Sequence, residues 1–396
     1  MKLIRISLTL VALLAAAGVT FFFTLAPNLL GSLSNQVAGD KGEAPNAASL
    51  ALHQTLVVGD LHADSALWSR DLMLRGDYGQ VDLPRLLAGN FALQMFTTVT
   101  KSPRGQNYEA NTADAPDNIS LLALAQRWPA ATRNSLLARA LFQGEKIHAL
   151  AARSDEFLLL RSQNDLDGLM ARRQAGEKIV GGLLGTEGSH ALDGNLANIE
   201  RLYAAGFRMM SLQHFFDNKL GGSLHGESNA GLTAFGEAAV DEMLSRGIMI
   251  DVAHSSEQVV RDVIARTGAA LIVSHSGFKG HCDRKRNISD ATMQLIAQHG
   301  GLIGVGFWSE AVCGQSVAAI IGSIRYGIDL VGLPHVALGS DWDGSVSTPI
   351  DAADAVQLTH AMRTANFSDA EIRAVMGGNM LRFLQTHLPE DAVVTQ

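Results

Sequence analysis

The chain has 396 residues, 47% of them hydrophobic and 18% charged, with 39 glycines, two cysteines and a formal net charge of −8. That composition suits a folded protein with a large core, and the acidic balance leaves no basic surface for a nucleic-acid partner. Two cysteines, Cys282 and Cys313, exclude both a disulfide framework and a four-cysteine zinc site, though one bridge is open to them in an oxidising compartment.

Lys2 and Arg5 precede an uncharged apolar run over residues 6–26. As a helix, a run of this length spans a hydrocarbon core of roughly 30 Å. A cleaved secretory signal has a shorter apolar region, about 7–15 residues. Here the A-x-A match at Ala15 and Ala17 falls inside the run, Phe21, Phe22 and Phe23 follow, and Pro27 obstructs cleavage after Ala26. The pattern predicts a transmembrane helix within residues 1–27, with a cleaved signal as the alternative. Positive charges stay cytoplasmic, so either reading exports the rest of the chain. Residues 28–46 lack periodicity and read as a linker. The folded domain is expected over residues 47–396.

Eight short apolar runs follow, at residues 56–61, 92–99, 179–184, 207–212, 248–253, 271–274, 302–307 and 336–338. Most are too short for helices and do not alternate, the pattern of strands buried on both faces of a parallel sheet. Amphipathic stretches lie between them, such as 196–205 and 234–246, which stop at Gly206 and Gly247. A long interval separates the second and third runs and reads as helices near 118–127, 133–152 and 166–175. Residues 352–364 and 369–386 read as closing helices. Strands alternating with helices predict a barrel or a doubly wound sheet.

Six of these runs end in potential metal ligands. The first ends in His62 and Asp64, the third in Glu187 and the fourth in His214. The fifth ends in His254, the sixth in His275 and the eighth in Asp341. In a (β/α)8 barrel, catalytic groups come from the C-terminal strand ends. A lone histidine such as His53, His148 or His360 reads as structural, but a set at one rim reads as a site. Imidazole nitrogen and carboxylate oxygen suit Zn²⁺. In extended backbone, His62 and Asp64 point to one side and can reach one ion. Glu187 has two oxygens to share between ions, and His254 and His275 can hold the second.

With these residues the sequence resembles the membrane (renal) dipeptidases, from about residue 56 to 384. The resemblance rests on Asp60-Leu61-His62-Ala63-Asp64, Gly185-Thr186-Glu187-Gly188, Gln213-His214, Asp251-Val252-Ala253-His254, Ser274-His275-Ser276, Arg286-Asn287 and Gly339-Ser340-Asp341-Trp342-Asp343-Gly344. It implies a TIM-type (β/α)8 barrel with a helical insertion between the second and third strands. It also implies hydrolysis of dipeptides by a binuclear zinc centre with a bridging hydroxide. In that scheme His62, Asp64 and Glu187 ligate one zinc, and Glu187, His254 and His275 the other. His214 polarises the scissile carbonyl or stabilises the oxyanion, Arg286 anchors the substrate's free carboxylate, and Asp341 shuttles the proton. A homodimer and a periplasmic domain held at a bacterial inner membrane are further expectations. Gln213 departs from the usual Thr, the insertion is long, and the rim after Phe307 is unfamiliar; these bear on substrate preference. Two rivals use the same residues: a deacylase of N-acyl amino acids or other amidohydrolase, and a metabolite-tailoring or binding protein on the same scaffold.

Overall fold

Nine strands form one sheet in the computed structural model, which describes residues 2–391 and the side chains from Thr9 onward; residues 392–396 of the expected domain lie outside it. They are β1 (Val58–Ala63), β2 (Phe91–Val99), β3 (Phe157–Leu159), β4 (Val180–Glu187), β5 (Phe207–Ser211), β6 (Met249–Asp251), β7 (Ile272–Ser276), β8 (Leu302–Val305) and β9 (Val336–Leu338). Eight of them pair in parallel in the order β1-β2-β4-β5-β6-β7-β8-β9. The two ends of that ribbon meet just past β9, where Ala63 bridges to Trp342 and the Asp64 N–H donates to the Trp342 carbonyl at 2.9 Å. The result is the expected α/β architecture, a nearly closed parallel barrel consistent with a TIM barrel, and each barrel strand falls on one of the eight apolar runs.

The absence of alternation in the strands has a direct cause. One apolar cluster takes Leu61, Leu93, Leu183, Met209, Met249, Ile272, Leu302 and Ala337, one residue from each barrel strand. Their neighbours Phe96, Leu184, Met210, Ile250, Val273, Ile303 and Leu338 belong to the other large cluster. A closed sheet covered by helices is apolar on both faces, so its strands read as continuous hydrophobic runs.

After α3 (Ala47–His53) and α4 (Leu83–Ala88), the long interval holds α5 (Asn118–Ala125), α6 (Leu136–Arg153) and α7 (Gln163–Gln174), capped by Asp117, Ser135 and Ser162. It also holds β3, which the sequence reading did not expect. β3 pairs in parallel with the start of β4, Phe157 opposite Val180, before β5 takes over that edge at Leu184. Three residues are too few to show a period. Past the barrel, the helix expected over 369–386 is interrupted. Helices Asp369–Arg373 and Asn379–His387 flank a widened turn at Ala374–Gly378. A Cβ on Gly377 would lie 2.4 Å from the Val57 carbonyl, so only glycine lets this segment sit against β1.

The N-terminus departs from expectation twice. Among the described residues no single helix is long and apolar enough to cross a membrane; only a bent pair, Thr9–Thr24 with Ala26–Ser34, is so in combination. The run is helical as α1 (Lys2–Thr24), but the chain turns by 49° into α2 (Ala26–Ser34). Pro27 explains the break, since it lacks an N–H and clashes with the preceding turn. The stretch read as a linker is also ordered. α2 buries Pro27 and Gly31, and Ser69 donates to the Asn28 side chain at 2.9 Å. Further on, the Ala38 N–H donates to the Thr348 carbonyl at 2.8 Å and the Asp40 N–H to the Gln315 carbonyl at 2.9 Å. Backbone and polar contacts hold this strap, and they leave no hydrophobic period to read.

Candidate metal centre

The barrel brings the seven predicted groups to one rim. His62 lies in β1 and Asp64 just beyond it; Glu187 ends β4, and His275 lies in β7. His214, His254 and Asp341 follow β5, β6 and β9 by three residues each. All seven are buried. Glu187 is the hub. Its Oε1 lies 3.6 Å from His62 Nε2, 3.2 Å from His254 Nε2 and 3.4 Å from His275 Nε2, while its Oε2 lies 3.4 Å from His214 Nε2. His62 Nε2 also stands 3.5 Å from Asp64 Oδ1 and 4.0 Å from Asp341 Oδ1.

Three carboxylates cannot all stay charged this close together without water. Burial raises Glu187 well above the usual range, with the charges of Asp64 and Asp341 adding to it. Burial also pushes Asp341 up to about 8, against the pull of His62. Burial opposes a charge on His62, but Asp64, Glu187 and Asp341 outweigh it and drive that ring up to about 10. The pocket therefore calls for positive charge at its centre. His254 and His275 are held neutral, first by burial, as ligand imidazoles must be. His62 Nε2 has no hydrogen-bond partner despite its burial. Neutral imidazoles, clustered carboxylates and an orphaned ring nitrogen fit divalent metal, and the donors fall into three overlapping groups. These are His62, Glu187 and His275; Glu187, His214 and His254; and His62, Asp64 and Asp341.

A polar layer behind the donors sets their orientation. Ser274 Oγ donates to Asp251 Oδ2 at 2.7 Å, and the Ser274 and Ala253 N–H groups occupy Asp251 Oδ1. With its one proton committed, Ser274 Oγ can only accept from His62 Nδ1 at 3.0 Å and His275 Nδ1 at 2.9 Å. Both rings are thus fixed with Nδ1 donating to Ser274 and Nε2 turned toward Glu187. Asp60 is likewise buried as an acceptor, taking the Ser340 N–H at 2.7 Å and Gln94 at 2.8 Å. Asp343, two residues from Asp341, is not a donor to the site. Ser65 and Arg70 saturate one of its oxygens and the Gln80 N–H the other. It ties the loop down, and Asp341 and Asp343 both adopt left-handed backbone, φ 60° and 63°. Such conformations cluster at functional sites.

Over the centre lies a cavity of about 110 Å³ lined by Leu67, Tyr108, Ile119, Phe215, Arg286 and Val346, among others. Arg286 is buried and donates to the carbonyls of Ala253 (3.2 Å) and His275 (2.9 Å). Among the described residues no carboxylate lies within ion-pair distance of it, so its guanidinium is available to an anion. Cys282 and Cys313 form a disulfide, Cα–Cα 5.4 Å. It joins the loops after β7 and β8, and Asn287 clamps them by donating to the Cys282 and Ala311 carbonyls. The insertion supplies the roof. The carbonyl of Tyr108 accepts from His225 Nδ1 at 3.0 Å, and the Asn111 N–H donates to the His225 carbonyl at 2.9 Å.

The family model of membrane dipeptidases (peptidase family M19) matches residues 47–391. The chain belongs to that family. Its members are metallopeptidases, and this chain is a hydrolase of that class. Among its relatives, Dipeptidase aclJ of Aspergillus oryzae is 26% identical over 346 residues, 82% of this chain and 76% of the relative. Human Dipeptidase 3 is 27% identical over 322 residues, 77% of this chain, which spans 63% of the human protein's length. Two solved structures share the dipeptidase fold. The probable dipeptidase PvdM of Pseudomonas aeruginosa has TM-score 0.68 at 19% identity, covering 87% of this chain and 98% of its own. A metallo peptidase from Rhodobacter sphaeroides, liganded with a phosphinate mimic of the dipeptide L-Ala-D-Ala, has TM-score 0.67 at 22% identity, covering 84% and 99%.

Every donor expected from the dipeptidase motifs sits in the cluster, and Arg286 faces the same cavity. Two neighbourhoods were not anticipated. Ser274 and Asp251 stood in quoted motifs, but nothing in their spacing says that one hydroxyl serves two histidines. Tyr108 and His225 come from segments without a motif, and only the fold brings them over the cleft.

Proposed function

We propose that this protein hydrolyses the peptide bond of dipeptide-like substrates with a free carboxylate, using two divalent ions, zinc by donor chemistry. The reading rests on one observation above others: six buried donors crowd around Glu187 beside a cavity that Arg286, buried and without an ion-pair partner among the described residues, also lines. His62, Asp64 and Glu187 would hold one ion, and Glu187, His254 and His275 the other. Metals in such a site supply Lewis acidity and a water acidic enough to attack at neutral pH. Arg286 grips the substrate carboxylate by a charge-assisted fork, which sets the carbonyl over the hub. Asp341, raised by burial, takes up a proton and returns it to the leaving amine. His214 donates Nδ1–H to the Lys101 carbonyl at 3.2 Å, and burial lowers its pKa to about 4. Its Nε2 therefore presents a lone pair at rest, and it stabilises the oxyanion only once protonated.

The same reading places the protein in the periplasm, held at a bacterial inner membrane through α1. The positive N-terminus and the apolar run support this, as does a disulfide, which persists in oxidising compartments.

The test measures bound metal per chain and then cleavage of L-L, L-D and N-acylated dipeptides, with and without chelator. Two metals with chelator-sensitive cleavage of free dipeptides alone is the expected result. Cleavage of only the blocked substrates would make it a deacylase, and full metal without hydrolysis would rule out the peptidase reading.

A further inference from the structure

Most of the exposed apolar surface of this protein lies in one region. Every large hydrophobic side chain that stands exposed among the described residues lies before residue 125; the rest of the barrel presents none. Most belong to three helices that pack on one another, α1, α2 and α5. α1 exposes Leu10, Val11, Leu13 and Leu14, and α2 exposes Leu29, Leu30 and Leu33 opposite its buried Pro27 and Gly31. Apart from Asn118 and Ser120 in its first turn, α5 is apolar, yet only half covered. Ile119, Leu122 and Ala123 are buried, whereas Leu121 is 50% and Leu124 43% exposed on the other side. A helix of that kind in water is an unfinished interface.

The charges carried along these helices are of one sign in a protein of net −8, apart from Asp117, which caps α5 and pairs with Arg139. Residues 1–39 contain Lys2 and Arg5 and no acid, and residues 118–134 contain Arg127 and Arg133 and no acid. Arg127 and Arg133 are exposed beside Leu124. The Arg127 guanidinium lies 5.3 Å over the Phe23 ring of α1, and neither arginine has an ion-pair partner among the described residues.

We infer that α2 and the outer face of α5 lie in the headgroup region of an anionic bilayer, continuing the surface of α1. This rests on the anchoring read above. Leucines flanked by arginines are the composition of an interfacial helix, and the 49° bend at Pro27 turns α2 away from the axis of α1. The consequence concerns the cleft. Ile119 lines the catalytic cavity while Leu121, two residues on, faces the lipid. One helix, about 10 Å across, then separates the site from the bilayer, and substrate enters at the membrane surface.

The full chain, in vesicles containing phosphatidylglycerol, would carry a fluorophore on one introduced cysteine at a time: Leu13→Cys, Leu30→Cys, Leu121→Cys, or Lys178→Cys at the opposite end of the barrel. Native Cys282 and Cys313 are paired in a disulfide and carry no free thiol for the label. With lipids bearing a nitroxide near the headgroup, the labels at 30 and 121 should lose most of their emission and the label at 178 none. Charge reversal by R127E and R133E together should reduce quenching at 121 in anionic vesicles only. Quenching at 13, tested with a deep nitroxide, but not at 30 or 121 would overturn this inference and leave the anchor standing. Absence of quenching at all positions would remove the anchor as well. Crosslinking between two copies through 121, without lipid quenching, would assign the face to a second chain and likewise overturn the inference.

Discussion

Ser274 has one proton and two lone pairs, and the fold uses all three, on Asp251, His62 and His275. Its removal frees both imidazoles to rotate or change tautomer. Ser274→Ala should weaken metal binding about 10–100-fold, the usual effect of losing a partner behind a ligand, read by competition with a chelator. Ser274→Thr, which keeps the hydroxyl, should recover most of it; an unchanged affinity in the alanine variant would show that the relay does not position the rings. Asp341 is the complementary case, a carboxyl in the cluster read as a proton carrier. Asp341→Asn should lower turnover by about 10²–10⁴-fold, the range of general acid–base contributions, with metal content unchanged by elemental analysis. Loss of metal together with activity would make it a ligand, as its place beside His62 and Asp64 allows.

At the scale of elements, the disulfide and a capping box each hold a segment that lacks a large apolar face. The Cys282–Cys313 bridge closes a loop over a sequence separation of 31, worth about 3.7 kcal/mol in chain-entropy terms. The double serine variant should lose stability of that order in denaturant titration. Because Arg286 rides on the bridged loop, KM should rise more than turnover falls. In the helix Asp369–Arg373, Glu371 accepts from Arg325 at 2.7 Å and from the Ser368 N–H at 2.7 Å. The Arg325 bond, then those from Ser368, hold its carboxyl down to about 2. A depressed carboxylate stabilises the fold above its ordinary pKa and loses that effect as pH falls through the folded value. The difference in Tm between the native chain and Glu371→Gln should therefore shrink between about pH 4.5 and about pH 2. A constant difference across that window would mean that charge is not what Glu371 contributes.

At the scale of the molecule, the centre joins β1, β4 and β7 with the loops that follow β5, β6 and β9, so metal that binds there binds only the closed barrel. Free metal at 1,000 times its Kd adds about 4 kcal/mol. Tm should climb with the logarithm of metal concentration and fall on chelation, and a Tm indifferent to both would deny the cluster its metal. Much of this was legible in the amino-acid order alone. The apolar runs located all eight barrel strands, because strands buried on both faces must be hydrophobic throughout. The candidate ligands stood at the ends of those runs, because a parallel barrel gathers its C-terminal strand ends at one rim. Glycines at 206 and 247 marked helix ends through their positive φ. Other features depend on contacts between distant segments and leave no period or spacing behind. β3 is too short to show one. The strap at 28–46 is held by its backbone, which has no residue signature. Asp341 and Asp343 are the same residue type two positions apart; only the packing of Arg70, Ser65 and Gln80 makes one structural and leaves the other in the cleft. Sequence determined which side chains reach the rim; tertiary structure decided which nitrogen each histidine presents, because that depends on a hydroxyl shared between two strands.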